Sequence, residues 1–448
     1  MQHYRKLSVW LIAALLLTLA LAACGGGAET PPAAEPTAGL EGQQIAPTQE
    51  SAAVATLPPP DVQGEVLPTP TLAAPAEGEA VQPTAAPETA SGPWPIDQFG
   101  YGIQIHGNAT VGDPVATMQA VREQLGMDWV KAQIQWWLVE PDQATDQWFF
   151  YDAIIDTAHQ ANLRLMVSVV GAPAWTRAAG GENGPPDDYA EYARFLSELI
   201  DRHPGKIDAI EVWNEQNLDR EWTSANGISP EDYVRFLQVA YETIKAKDPN
   251  IIVISGALSP TGTGDWIKWA DDFEYLQRAL AAGLLTYADC VGVHHNGYNI
   301  APDVTFDAAG STTEAAAASF RGPFDNPHHS WSFKTTIDTY AQMVQAVDPA
   351  KKLCVTEFGW ASSEGYAEIP TGFEFARDNT LQEQADYIVQ AFRQMHDSGD
   401  VWLAFLFNFD FGNKGSGPTD DPVPYSIIDT QGIPRPAFGA VAEMEKTP

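Results

Sequence analysis

Trp213-Asn214-Glu215-Gln216-Asn217, reached at the end of the run Ile207-Asp208-Ala209-Ile210-Glu211-Val212, is the stretch on which the fold turns. Residues 207–212 read as an apolar, strand-like run, Glu215 stands at its end, and a loop and a helical stretch follow. The same arrangement recurs where 352–355 runs into Thr356-Glu357-Phe358-Gly359-Trp360. A carboxylate at the mouth of a buried strand is costly to desolvate, so it is normally held there for a task.

Outward from these two segments the chain alternates short apolar runs with amphipathic stretches. The strands are expected at 100–105, 129–134, 163–170, 207–212, 251–255, 290–294, 352–356 and 401–407. Helical patterns fall near 114–125, 150–161, 187–202, 230–247, 266–282, 334–346, 380–397 and 435–445. Asp187-Asp188 and Pro230-Glu231 supply the acidic or proline-led first turns that helix starts favour. Strict eight-fold alternation argues for an α/β fold of the (β/α)8 TIM-barrel type, in one catalytic domain. A doubly wound open sheet is the alternative. It seldom needs eight regular repeats, and no glycine-rich phosphate loop accompanies them.

The N-terminal portion reads differently. Arg5 and Lys6 precede an apolar run over 7–20, then Leu21-Ala22-Ala23-Cys24. A basic start, a short apolar stretch and small residues make an export signal. Leu21-Ala22-Ala23-Cys24 also resembles the lipobox of bacterial lipoproteins. That resemblance implies cleavage before Cys24, lipid on its sulfur and new amino group, and a domain held outside the cell membrane. An ordinary signal peptide with an incidental cysteine is the alternative. From 25 to about 92 the chain is mostly Ala, Pro, Thr, Glu and Gly, with no Lys, Arg or aromatic residue. It cannot bury enough apolar surface to offset its ordering entropy and is expected to stay disordered. As a coil it spans roughly 45 Å, a tether. The expected division is therefore signal peptide 1–23, tether 24–93 and barrel domain 94–448.

The formal net charge of −35 repels nucleic acid and anionic polymers at long range, so a neutral substrate fits better, a local basic groove for an acidic glycan being the alternative. Three cysteines make no disulfide scaffold. With Cys24 lipidated, Cys290 and Cys354 are read as buried thiols inside apolar strands, a bridge between neighbouring strands being the less favoured reading. No cofactor motif is present, and nothing in the sequence calls for a second copy; a monomer is expected.

In a (β/α)8 barrel the chemistry sits at the C-terminal ends of the strands. The residues just past those ends are rich in aromatic and polar groups: His106, Trp136, Trp175, Asn214, Glu215, His294, Tyr298, Glu357, Trp360 and Asn408. Glu215 and Glu357, 142 positions apart and both at strand ends, suggest a carboxylate pair for cleaving a glycosidic bond.

The chain resembles the clan A glycoside hydrolases, the retaining (β/α)8 group that includes families five and thirty-nine. The resemblance covers nearly all of 99–445. There the acid/base glutamate follows an asparagine at the end of strand four, as in Asn214-Glu215, and the nucleophile closes strand seven, as Glu357 does. Trp136-Trp137-Leu138-Val139-Glu140-Pro141, Pro173-Ala174-Trp175 and Asp429-Thr430-Gln431-Gly432-Ile433-Pro434-Arg435-Pro436-Ala437 resemble family thirty-nine-like segments after strands two and three and before the last helix. The resemblance implies an O-glycosyl hydrolase acting by double displacement on a β-linked oligo- or polysaccharide. The long loops at about 295–333 and 360–379 suggest an extended cleft and endo attack, a pocketed exo-enzyme being the alternative. Glu215 is then expected to be protonated at rest and Glu357 ionised, since two like charges about 5–5.5 Å apart favour a proton on one of them. Asn214 is placed to hold the sugar 2-hydroxyl.

Further site residues are expected around the pair. An inward Lys131 would support the nucleophile, and an outward one would be an ordinary solvated lysine. His294 is read as a hydrogen-bond donor in the cleft. Trp136, Trp175, Trp222 and Trp360 are possible sugar platforms, and Trp129 and Trp402 core. Asn408 stands at the end of strand eight. His294-His295 cannot share one ion easily, because adjacent strand residues face opposite ways. His328-His329 has no carboxylate at useful sequence spacing, so no metal site is expected. Two positions depart from the clan pattern. Where many members carry a tyrosine after strand six, this chain has Asn296, and Tyr298 would have to substitute. The tryptophan that often closes strand eight is absent. Two other classes remain open: a two-lobed sugar-binding lipoprotein of a transporter, and a barrel that binds glycan without cleaving it.

Overall fold

The computed structural model describes residues 92–179 and 183–447. The expected signal peptide, the lipidation site Cys24 and nearly all of the tether lie outside the described residues. Eight strands follow one another: β1 Gly100–Gln104, β2 Trp129–Gln135, β3 Arg164–Val170, β4 Ala209–Val212, β5 Ile252–Ser255, β6 Val291–Gly297, β7 Leu353–Trp360 and β8 Val401–Leu406. All pair in parallel, in the order β5-β4-β3-β2-β1-β8-β7-β6. Parallel bridges Ile254–Cys290 and Leu258–Val293 then bring β5 to β6 and draw the sheet into a barrel. Gly292 permits that approach: a Cβ there would lie 2.0 Å from the Ser255 carbonyl oxygen.

Helices Pro114–Gln119, Asp152–Gln160, Tyr189–Arg202, Pro230–Lys247, Asp272–Ala281, Phe333–Val347, Leu381–Ser398 and Pro436–Glu443 alternate with the strands. Their starts follow local chemistry. Asp188 and Ser229 accept from the amides of Ala190 and Asp232, and Thr380 with Glu383 closes a reciprocal capping box. The architecture is the (β/α)8 barrel, and the open sheet and the two-lobed transporter protein are both set aside. Two helices are shorter than their patterns: the first stops at Gln119 and passes into a π-helical segment, Ala120–Gln124, and the one expected at 266–282 starts late. Residues 266–271 do not begin it, because Asp265 draws the amides of Ile267 and Lys268 into a turn and Asp271 caps the helix instead.

The barrel interior is layered, and the layers follow from the two-residue period of a strand. Trp129, Met166, Ala209, Cys290 and Cys354 share an apolar cluster inside the barrel. Two residues on, at Lys131, Ser168, Glu211 and Thr356, the same inward faces turn polar, and all four are fully buried. A larger apolar core fills the space between strands and helices.

Cys290 and Cys354 are not separate thiols. They form a disulfide with Cα atoms 5.8 Å apart, joining the start of β6 to β7. The sequence places each cysteine in an apolar strand, but only the β6–β7 pairing makes them neighbours at bridging distance.

Candidate active site

The loop after β4 bends sharply to present Glu215. Trp213 and Glu215 both take left-handed backbone angles, φ +79° and +42°, costing about 1 kcal/mol or more each for residues with a side chain. Surrounding contacts hold them there. The Glu215 amide donates to the Ala257 carbonyl at 2.9 Å, and the Trp213 indole to the Glu221 carbonyl at 2.9 Å. The loop after β5 clasps the same segment, with Asp219 N donating to Lys268 O and Ala270 N to Asn217 O, each at 2.8 Å.

Glu357 is delivered by an irregularity in β7. Val293 pairs with Val355 but His294 with Glu357, so Thr356 is an extra residue, a bulge. Consecutive side chains therefore both face the interior. Thr356 Oγ1 donates to Glu211 Oε1 at 2.6 Å, while Glu357 Oε1 accepts from Lys131 Nζ at 3.0 Å. Lys131 points inward; its ammonium also donates to the Thr356 carbonyl at 3.1 Å and lies 3.4 Å from Glu211 Oε2. Ser168 Oγ donates to that same Glu211 oxygen.

His294 joins the two strand-end carboxylates. Its Nδ1 lies 3.3 Å from Glu215 Oε1 and 3.9 Å from Glu357 Oε2, and its Nε2 lies 3.9 Å from Glu211 Oε1. Those contacts bound the separation of the Glu215 and Glu357 oxygens at about 7 Å, across one cleft. Asn296 Nδ2 donates to Glu357 Oε2 at 3.4 Å, and Arg220 Nη2 to Glu215 Oε2 at 2.8 Å.

Three carboxylates thus meet three basic groups. For Glu215 burial raises the pKa, but the His294 hydrogen bond and the Arg220 charge outweigh it and bring the carboxyl down to about 2. For Glu211 burial is likewise outweighed by Lys131 and His294, leaving its pKa lowered. The His294 imidazole is raised: burial opposes its charge, and Glu357, Glu215 and Glu211 overcome that. Glu221 goes the other way. Burial and the Glu215 charge push it up to about 8 against Arg220 and Asn214. The expectation of a protonated Glu215 at rest is therefore corrected, and the causes are the His294 hydrogen bond together with Arg220, five residues along the same loop.

The other expected site residues divide. Asn214 is buried beside Glu221, and its Oδ1 has no hydrogen-bond partner among the described residues. Trp175 is half-buried at the rim, its indole donating to the Glu140 carbonyl and Arg194 lying over its ring. Trp136 and Trp360 offer no face to a ligand, being 0% and 1% exposed. Trp136 stacks on Phe195 and donates to Glu140, and Trp360 donates to the Ile300 carbonyl. Trp222 is equally buried, edge-on to Trp213 and Phe236. Trp129 and Trp402 are core, as expected. Asn408 is buried and spends its amide on the Pro422 carbonyl and the Phe411 amide, so it shapes the loop after β8. Tyr298 does not take the contact to Glu357, which Asn296 makes; its ring packs on Trp331 and Phe375.

Sequence reasoning passed over Glu211, Arg220, Glu221 and Ser168. Glu211 had a signal, since it shares strand parity with Ala209 and must face the interior; Arg220 and Glu221 sit in a loop where no periodicity applies. His329 also gains a carboxylate that its sequence spacing hides, with Nε2 2.9 Å from Asp272 Oδ1. Asp271, Asp272 and His329 offer ligand atoms within 4.8 Å of one another. The Asp272 oxygens, however, already accept from Tyr340 and the amides of Thr261 and Gly262, so the group reads as a clasp between loops.

No known protein family and no curated protein matches the chain. Solved structures do. A family 39 glycoside hydrolase from the gut symbiont Bacteroides cellulosilyticus superposes with a TM-score of 0.55 at 18% identity, over 79% of this chain and 64% of its own. The GH39 enzyme from Xanthomonas axonopodis pv. citri gives 0.52 at 17%, over 79% and 67%. A monomeric beta-xylosidase from Caulobacter crescentus gives 0.50 at 17%, over 79% and 69%. What is shared is the barrel fold. The chain spans slightly less than two thirds of the first of these proteins.

Proposed function

We propose that this chain is a retaining β-glycosidase that cleaves an extracellular oligo- or polysaccharide by double displacement. The observation that carries the reading is His294 lying within 4 Å of both Glu215 and Glu357, which puts the two strand-end carboxylates across one cleft. Glu357, ionised and held by Lys131 and Asn296, attacks the anomeric carbon and forms a glycosyl ester. Glu215 protonates the departing oxygen and later deprotonates the incoming water. Asn214, whose buried Oδ1 has no partner among the described residues, supports a sugar hydroxyl beside them. Long loops after β6 and β7 favour endo attack. Family 39 enzymes and a beta-xylosidase among the structural neighbours support a β-linked substrate.

The same reading places the domain outside the cell as a monomer, held by lipid at Cys24. The Cys290–Cys354 disulfide supports an oxidising compartment.

A panel of aryl β-glycosides and β-linked polysaccharides, offered to residues 92–448, tests the activity. Glu357→Ala should abolish turnover, and added azide should return an α-glycosyl azide. Full turnover by Glu357→Ala would remove the nucleophile assignment, and inversion at the anomeric carbon in the wild type would remove the double displacement.

A further inference from the structure

The loop that presents Glu215 also surrounds it. Arg220 Nη2 is 2.8 Å from Glu215 Oε2, and His294 Nδ1 is 3.3 Å from Glu215 Oε1. Both oxygens of the carboxylate therefore face nitrogen donors, and neither is placed to carry a proton to a leaving group. The glycosidase reading requires that proton. Arg220 has a second acidic neighbour: its Nε lies 3.9 Å from Glu221 Oε1, so one guanidinium spans two carboxyl groups. The Glu221 backbone is held on both sides, its amide donating to the Leu218 carbonyl and its carbonyl accepting from the Trp213 indole.

We propose that Glu221 and Arg220 load the general acid: as the leaving-group sugar enters, Glu221 passes its proton to Glu215, and Arg220 transfers its ion pair from Glu215 to Glu221. The inference rests on the glycosidase reading and deepens it. One O–H bond breaks on Glu221 and one forms on Glu215. The guanidinium keeps its charge throughout, so the three side chains sum to zero before and after, and no outside proton is needed. Glu221 is suited to the role because burial and the neighbouring Glu215 push it up to about 8, which keeps it neutral while Glu215 is ionised.

Other charges face the trio. Glu357 and His294 lie on the barrel side, Tyr298 comes from the loop after β6, and Asp420 and Asp421 from the loop after β8. Asp421, pushed up to about 7 by burial and Asp420, is a rival proton source, and the test separates the two.

kcat/KM is measured against pH for two β-glycosides of the same sugar, one with an alkyl leaving group that needs protonation and one with a dinitrophenyl group that does not. Glu221→Gln, close in shape to the neutral acid, should lose about 100-fold on the alkyl glycoside and far less on the dinitrophenyl one. Its alkaline limb on the alkyl glycoside should move to lower pH, and Glu221→Asp should recover much of the loss. Asp421→Asn should leave that limb in place. Equal losses on both glycosides, an unmoved limb in Glu221→Gln, or a limb that moves in Asp421→Asn instead would overturn the proposal and leave the glycosidase reading standing. Failure of the wild type on both glycosides would take the reading and the proposal together. Titration of the 13C-labelled glutamate carboxyls gives a readout independent of turnover. One carboxyl should titrate near 8 and vanish in Glu221→Gln, and its persistence would also overturn the proposal.

Discussion

Lys131 Nζ lies 3.0 Å from Glu357 Oε1, at the end of a β2 side chain that is fully buried. The same ammonium donates to the Thr356 carbonyl and lies 3.4 Å from Glu211 Oε2, so two hydrogen bonds and a second ion pair hold it. It is the cation shared by Glu357 and the fully buried Glu211. Lys131→Met keeps the bulk and removes the charge, leaving two buried carboxylates short of a partner. Breaking one side of a buried pair costs about 3–5 kcal/mol, and with Glu357 as the proposed nucleophile the loss of its charged contact should cost about 100-fold in rate. Urea denaturation and kcat/KM of the variant measure both. A variant as stable and as active as the wild type would show that the ammonium does neither job.

Glu215 makes stability depend on pH, with a definite sign. Its folded pKa, about 2, lies below the ordinary 4.5. A depressed carboxyl contributes stability that is fully present above 4.5 and lost as pH falls through 2. The full difference corresponds to about 3 kcal/mol. Glu215→Gln removes the contribution at every pH. The gap in melting temperature between wild type and Glu215→Gln should therefore be widest at neutral pH and close progressively below 4.5. A gap that stays constant down to pH 3 would mean that Arg220 and His294 do not hold the carboxylate as described.

The barrel was legible because parallel strands buried on both faces are written as unbroken apolar runs, and all eight runs become strands. β6 and β7 continue past their apolar runs to Gly297 and Trp360, since the polar residues there line the cleft and remain in the ladder. The strand-end pair Glu215 and Glu357 was legible for the same reason: a charge ending an apolar run stands out. Glu211 and Arg220 were not. Glu211 is one acid inside a run that reads as hydrophobic on average, and its role depends on facing Lys131 across the barrel. Arg220 acts through a loop conformation fixed by Trp213, Ala257 and Lys268. Trp136 and Trp360 show the converse. A strand-end position fixes height along the barrel axis, whereas packing on Phe195 or under Ile300 decides which way an indole turns.

The disulfide should act on stability rather than on the site. Cys290 and Cys354 cluster with Trp129, Met166 and Phe405, below the polar layer that carries Lys131 and Glu211. Their separation of 64 residues corresponds, in the chain-entropy account, to about 4 kcal/mol. Replacing both by Ala should lower the melting temperature by several degrees and leave KM within about twofold. A large change in KM with little change in melting would place the bridge in the site's support instead of the barrel floor.

Asn296 and Tyr298 are the two β6-end side chains that the sequence offers as partners for Glu357. Asn296 Nδ2 is 3.4 Å from Glu357 Oε2, a long hydrogen bond but one made to a charge. Such bonds contribute about 1.5 kcal/mol at the weak end, or roughly tenfold in rate. Tyr298 is fixed by ring contacts to Trp331 and Phe375, which phenylalanine would keep. Asn296→Ala should therefore lower kcat/KM about tenfold, while Tyr298→Phe should stay within about threefold. The reverse order of losses would mean that the tyrosine hydroxyl reaches Glu357 once substrate is bound, and that Asn296 is only its neighbour.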